Sequence, residues 1–226
     1  GIARLYGDAR AQRIRAAHVC VIGIGGVGSW SAEALARCGV GQMTLIDLDH
    51  VAESNVNRQI HALEPEFGRA KVDAMRSRIE GINPACEVHC IEEFIDEDNL
   101  ARLLAPGHDV VIDAIDSARA KTALAAHCRC AKLPLVMCGA AGGRLDPARV
   151  QVDDLARTSG DALLAKVRAR LRREHGFTRE AGRKFGIVAV FSAEPVVMLR
   201  VAACDIDAPH PAAGAPQGLN CAGYGS

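Results

Sequence analysis

Through the first 140 residues, short apolar runs alternate with amphipathic stretches. The run His18-Val-Cys-Val-Ile-Gly23 predicts a buried strand, followed by a glycine turn and a helix over residues 26–38. Met43-Thr-Leu-Ile-Asp47 predicts a second strand, and residues 69–82 a second helix stopped by Asn83-Pro84. A third strand is expected over 86–91, a short helix over 96–104, a fourth strand over 109–113, a helix over 117–131 and a fifth strand over 133–138. Strand-helix-strand alternation at this spacing implies a parallel sheet covered on both faces, and so a doubly wound α/β domain.

Beyond Gly142-Gly143 the pattern changes. Residues 149–153 and 187–191 read as later strands, separated by a charged helix over 161–175. The last nineteen residues, 208–226, hold five Ala, four Gly and three Pro, a composition that predicts a flexible tail.

Composition narrows the picture in three ways. Hydrophobic residues make up 49% and charged residues 24%, as in a cored globular protein. Lys+Arg and Asp+Glu are both 27, so nucleic-acid binding would have to come from local clustering. No run of 18 apolar residues and no charged-then-apolar leader is seen, so neither a membrane span nor a signal peptide is expected. The nine cysteines are odd in number and include no CxxC pair, which points to reduced thiols in the cytoplasm rather than disulfides or a zinc knuckle.

Chemistry first shows at Gly23-Ile-Gly25-Gly26-Val-Gly28, a GxGxxG loop that follows a strand and opens a helix. Backbone N–H groups at such a helix start receive a phosphate. Asp47 lies nineteen residues after Gly28, where a carboxylate can meet a ribose hydroxyl. These features predict nucleotide binding but do not separate a dinucleotide from ATP. The downstream residues do. Arg58 and Lys71 can neutralise charge on an α-phosphate under attack, and Asp116 can hold Mg²⁺ against the pyrophosphate. An adenylating enzyme needs all three, whereas an NAD-dependent oxidoreductase has no use for them. Each has a bland alternative: Arg58 in a surface pair, Lys71 on a solvated face, Asp116 capping the helix from Ser117.

Gly23-Ile-Gly-Gly-Val-Gly-Ser29, Leu-Ile-Asp47-Leu-Asp49, Ser54-Asn55-Val-Asn-Arg58-Gln59 and Lys71 together resemble the ubiquitin-activating-type adenylation family, which includes ThiF and MoeB. The resemblance covers residues 4–145. It implies a Rossmann-like ATP-binding fold, with Gly25, Gly26, Asp47, Asn55, Arg58, Lys71 and Asp116 on the ATP and Mg²⁺ positions. The chain then divides into an adenylation core (1–145), a C-terminal extension of the same domain (146–207) and the tail.

Within that family, Arg4-Leu-Tyr-Gly7, Arg58-Gln-Ile-His61-Ala62, Asp113-Ala-Ile-Asp-Ser117, Gly139-Ala-Ala-Gly-Gly143, Phe191-Ser-Ala-Glu194 and Asn220-Cys221-Ala-Gly-Tyr-Gly225 resemble the tRNA threonylcarbamoyladenosine dehydratase branch. This branch, like the chain, lacks zinc-binding CxxC pairs. The resemblance implies adenylation of a threonyl carboxylate on a modified adenosine in tRNA, then ring closure with loss of AMP. It also implies a homodimer, an arginine donated across the dimer (Arg4 is the candidate) and a sulfur-transfer partner of the cysteine desulfurase system. Family members begin a few residues earlier and end in an apolar helix that could meet a membrane; neither segment is present, so the chain reads as shortened. The alternative is activation of a sulfur-carrier protein's C-terminus, as in ThiF or MoeB.

Residues 166–184 carry eight Lys/Arg against Glu174 and Glu180. Lys166, Arg168, Arg172 and Arg173 are therefore candidates for a strip that grips tRNA phosphates, with few aromatics to read bases. Cys20, Cys38 and Cys138 read as small core hydrophobes. Cys128 and Cys130 are expected on different helix faces, and Cys221 is the candidate functional thiol.

Overall fold

A computed structural model describes residues 1–105 and 107–196. Its centre is strand β1 (His18–Ile22), whose last four residues are all buried. β2 (Gln42–Ile46), β3 (Glu87–Ile91), β4 (Val110–Asp113), β5 (Leu135–Cys138), β6 (Val150–Asp154) and β7 (Val188–Ser192) complete one seven-stranded sheet in the order β3-β2-β1-β4-β5-β7-β6. All neighbouring pairs are parallel except β6–β7, which is antiparallel.

Side-chain alternation sorts β1 cleanly between two cores. Val19 and Val21 pack with Met43, Leu45, Val72, Met75 and Ile79 on one face. Cys20 and Ile22 pack with Val111, Leu124, Met137, Leu164 and Leu171 on the other. A strand buried on both faces has no polar side, which is why β1 reads as a continuous apolar run. α3 (Gly28–Arg37) and α4 (Lys71–Ile82) cover the first face, with Ala32 and Ala36 letting α3 sit close. α5 (Leu100–Leu103), α6 (Ala118–Ala131) and α7 (Ala162–Glu174) cover the second.

The C-terminal extension shares this core. Leu155, Leu164, Val167, Leu171 and Phe185 are buried in the same cluster as Leu124 and Met137, and β6 and β7 extend the same sheet.

Most elements lie within a residue or two of the sequence expectation. Two differences have physical causes. The helix expected over 96–104 shrinks to Leu100–Leu103, because the Asp96 and Asn99 side chains bond nearby backbone N–H groups and fold 96–99 as a turn. Two helices precede β1, α1 (Ile2–Tyr6) and α2 (Asp8–Ala16), joined at Gly7 with φ 82°. In α2 Ala11 alone is buried, so there is no apolar stripe for periodicity to detect. The tail expected over 208–226 lies outside the described residues.

β1 and β4 are adjacent, yet the chain leaves β1 toward β2 and only later returns to β4 on the other side. The crevice beyond the C-terminal ends of these two strands is the topological switch point where doubly wound sheets bind ligands.

Candidate active site

The glycine loop leaves β1 into this crevice. Gly23 has φ +85°, and a Cβ there would stand 2.9 Å from the carbonyl oxygen of Ala114. At Gly28 a Cβ would fall 1.7 Å from the carbonyl oxygen of Gly23. These two glycines are required by the turn and by the close seat of α3. Gly25 is different: nothing lies within 4 Å of its Cβ position, so the backbone there is open to a ligand. At Gly26 the nearest neighbour is the Arg58 side chain, with Cγ at 3.4 Å. The apolar stem of Arg58 thus lies against the loop, and its Nη1 donates to the Ser54 carbonyl at 2.7 Å and to Asn57 Oδ1 at 2.9 Å.

Asp47 follows β2 and braces the loop. Its two carboxylate oxygens accept the N–H groups of Ile24 (2.5 Å) and Asp49 (2.8 Å). Burial pushes its carboxyl above the ordinary range, while these bonds and Lys71 pull it back. Lys71 opens α4, is buried and pairs through Nζ with Asp49 Oδ2 at 2.8 Å. Asn55 is buried, and its Oδ1 accepts the Ala52 N–H at 3.1 Å, closing the short 3₁₀ turn Glu53–Asn55 that sets up Arg58.

Asp116 is exposed at the mouth of the crevice, three residues beyond the end of β4. The cap of α6 is Ser117, whose hydroxyl accepts the Ala120 N–H at 3.4 Å, so Asp116 is not needed for that task. Among the described residues its carboxylate makes no hydrogen bond or ion pair.

Below Asp116 lies an ion pair that sequence reading missed. Asp113 and Lys121 are both fully buried and pair at 3.0 Å, and Lys121 Nζ also donates to the Cys138 carbonyl at 2.7 Å. Asp113 Oδ1 accepts the Ile115 N–H, while Oδ2 has no partner. One lysine therefore ties the ends of β4 and β5 to α6. A second missed feature is the loop after β5. Asp161, the N-cap of α7, accepts the Ala140 N–H at 2.9 Å, and Glu194 accepts those of Leu145 and Asp146. Arg144, in the same loop, donates through Nη2 to the Gly160 carbonyl at 3.0 Å, and its Nε and Nη1 are buried without partners. Asp113 and Glu194 stand in motifs quoted above but had no role read for them, while Lys121, Arg144 and Asp161, lone charges in helices and loops, look like solvated positions in a sequence.

Two orphaned groups sit beside Arg58. Gln59 Oε1 and both ring nitrogens of His61 are buried without partners. Burial, with Lys71 and Arg78 adding repulsion, pushes His61 down to about 4, so its ring is neutral.

Other sequence candidates are placed as follows. Arg4 lies exposed on α1 and makes no ion pair among the described residues. The basic strip expected on α7 does not form one outward row. Arg168 is half-buried against the Thr158 hydroxyl. Arg172 donates to the Thr178 carbonyl at 3.3 Å and lies over the Phe185 ring at 5.3 Å. Both flank the buried row of Leu164, Val167 and Leu171, and packing claims them. Lys166 and Arg173 do face outward, Arg173 pairing with Glu174.

Among the cysteines, Cys38 is exposed at the end of α3 and not the core residue expected; helix termination there turns it outward. Burial pushes Cys20 and Cys128 up to about 12 and Cys138 up to about 11, so these thiols are not nucleophiles. Cys128 is buried and Cys130 exposed. Cys221 lies outside the described residues.

The crevice thus offers an open glycine backbone at a helix start, two cations and one unengaged carboxylate. That set can seat a polyphosphate and neutralise charge developing on it. Among the described residues no three His, Cys, Asp or Glu side chains converge as a metal cage. A lone carboxylate suits Mg²⁺, which takes one or two carboxylates and completes its shell with substrate phosphates and water.

A sequence profile described as the ThiF family matches residues 2–160. The chain is 52% identical over 197 residues to the tRNA threonylcarbamoyladenosine dehydratase of Escherichia coli (strain K12), covering 87% of this chain and 74% of that one. It is 47% identical over 197 residues to the enzyme of the same name from Haemophilus influenzae, covering 87% and 76%. Its fold superposes on the crystal structure of the Escherichia coli tRNA N6-threonylcarbamoyladenosine dehydratase, TcdA, in complex with ATP, with a TM-score of 0.85 over 87% of this chain and 81% of that one.

Proposed function

Because the chain belongs to the ThiF family, we propose that it is an ATP-dependent tRNA threonylcarbamoyladenosine dehydratase acting by carboxylate adenylation. In this reaction the threonyl carboxylate of the modified adenosine attacks the α-phosphorus of ATP. The bond to the β-phosphate breaks, and pyrophosphate leaves. The carbamoyl group then attacks the acyl-adenylate, closes a ring and expels AMP, for a net loss of one water from the base.

Each step has a residue to serve it. The open backbone at Gly25, with Gly26 beside it, receives phosphate, and Gly23 and Gly28 hold the turn. Arg58, lying against Gly26, and Lys71 meet the charge that builds on the α-phosphate. Asp47 and Asn55 keep loop and turn in place, with lone pairs left on Asp47 for a ribose hydroxyl. Asp116 would hold Mg²⁺, which when bound neutralises charge on the departing pyrophosphate. The neutral ring of His61 lets it accept a hydrogen bond without adding charge beside Lys71.

A second copy of the chain completes the site in this reading. Exposed Trp30 donates its indole N–H to the Arg58 carbonyl, and Val56, two residues before Arg58 in the chain, is 54% exposed, so exposed apolar side chains border the catalytic arginine. Arg4 is the group that a partner subunit would supply. A sulfur-transfer partner of the cysteine desulfurase type has its sequence handle in Cys221. Seven free thiols among the described residues fit a reducing cytoplasm. Among the described residues no helix is long and apolar enough to cross a membrane.

The observation that carries the proposal is the open backbone at Gly25 with Arg58 packed against Gly26, at the switch point where β4 leads to the unengaged Asp116. A dehydrogenase would share the glycine loop but would need neither Arg58 nor Asp116. Isothermal titration is expected to show binding of ATP with Mg²⁺ and far weaker binding of NAD. Tight NAD binding with none for ATP would end the adenylation reading.

A further inference from the structure

Residues 175–186, between α7 and β7, form a loop built on apolar anchors and edged with cations. Phe185 is 2% exposed and meets the partly buried Phe177 edge-to-face at 4.9 Å. The Asp154 carboxylate accepts the N–H groups of Phe185 and Gly186, both at 2.8 Å, and fixes the end of the loop. Above this floor lie two open clefts, of about 420 and 370 Å³, that share Arg183. Their walls carry Arg129, Arg157, Arg172, Arg179, Arg183 and Lys184, against the single carboxylate of Glu180.

Arg172 is held by the Thr178 carbonyl and the Phe185 ring, and Arg157 by the Gly182 carbonyl, but carboxylates do not neutralise these cations. Among the described residues Arg129, Arg157, Arg179 and Lys184 make no ion pair, and Arg183 meets Glu180 with both side chains 69% exposed. Like charges at this density repel unless an anion joins them, which makes the clefts a poor solvated face and a good anion seat.

Position decides which anion. Asp154 pairs with Val188 at the start of β7, while the candidate active site lies beyond the opposite ends of the parallel strands. Five strand residues separate the two edges, roughly 17 Å. α7 spans the same gap: its N-cap Asp161 holds Ala140 at the catalytic edge, and its last turn reaches the clefts. A nucleotide in the crevice cannot touch both places. An RNA hairpin whose loop enters the crevice can, with its stem lying along α7. Because Phe177 and Phe185 face inward, no ring is offered for a base to stack on, and recognition is of the backbone alone.

We propose that these two clefts are a phosphate-binding subsite for the stem of the tRNA, remote from the reacting base. This rests on the tRNA reading above and replaces the α7 strip as the main grip, since Arg168 and Arg172 have inward partners.

The test is a charge-reversed variant, Arg179→Glu/Arg183→Glu/Lys184→Glu, compared with wild type and with a control, Arg13→Glu/Arg76→Glu/Arg102→Glu, of equal charge on other surfaces. Fluorescence anisotropy with tRNA across a salt series is the readout, with ATP titration and thermal melting as checks on folding. The cleft variant is expected to bind tRNA at least about tenfold more weakly near 0.1 M salt. The slope of log affinity against log salt should fall by about 0.7–0.9 for each phosphate no longer neutralised. The control should keep both nearer to wild type, and ATP affinity should hold in both. If wild type binds tRNA and the cleft variant matches it, or the control weakens as much, this inference falls and the assigned activity stands. If wild type binds no tRNA at all, both fall.

Discussion

Asp116 and Asp113 are three residues apart and do opposite work. Asp113 is fully buried and bonded to Lys121, so removing it would disturb the fold. Asp116 is exposed, and Ser117 performs the capping that the position suggested for it. A surface carboxylate with no partner contributes little to stability, within about 0.5 kcal/mol. Asp116→Ala is therefore expected to lower turnover by about 10²-fold or more, the scale of losing a charge stabiliser at a reacting phosphate. Its urea midpoint should stay near that of wild type. Near-normal turnover would reduce Asp116 to a solvated side chain. Arg58, Lys71 and Asp116 could be singled out as candidates in the sequence because they follow a glycine loop in an order that one chemistry explains. Lys121 could not, since an isolated lysine in Ala118–Ala131 looks like a solvated position until its helix is seen lying on β4 and β5.

At the scale of elements, the inner strands could be read because burial on both faces makes them largely apolar runs, whereas β3 is at most partly buried and β6 mostly exposed. β1, β2 and β4 lie within one residue of expectation, and their parallel order follows from the alternation with helices. The helices α1 and α2 could not be read, because a helix that buries Ala11 alone carries no period. The tie between elements was equally invisible. Lys121 joins α6 to the ends of β4 and β5, with both charges of its pair out of water. Breaking such a pair by removing one partner costs about 3–5 kcal/mol, because the other charge stays buried alone. Lys121→Met should lose that much in urea denaturation. Lys121→Met/Asp113→Asn should recover a large part of it, since the neutral side chain keeps an acceptor for the Ile115 N–H. Equal losses in both variants would mean that packing of the lysine stem, and not its charge, holds the strand ends.

For the whole molecule, a net charge of zero hides a separation. The nucleotide loop and Asp116 occupy one edge of the sheet, the cationic clefts the other, and α7 runs between them. An enzyme that activates a free metabolite needs only the first edge. One that acts on a single base of a long polyanion gains from both, because phosphates far from the reacting atom supply affinity without touching the chemistry. The carboxylate to be activated belongs to the modified adenosine, so unmodified tRNA can occupy the phosphate sites and still offer no nucleophile. Pyrophosphate release from ATP, measured with tRNA that carries threonylcarbamoyladenosine and with the same tRNA unmodified, puts this to the sharpest trial. Release driven by the modified tRNA alone, with a product base lighter by one water, is the expected result. Equal release with both tRNAs, or release only on adding a sulfur-carrier protein, would overturn the assignment.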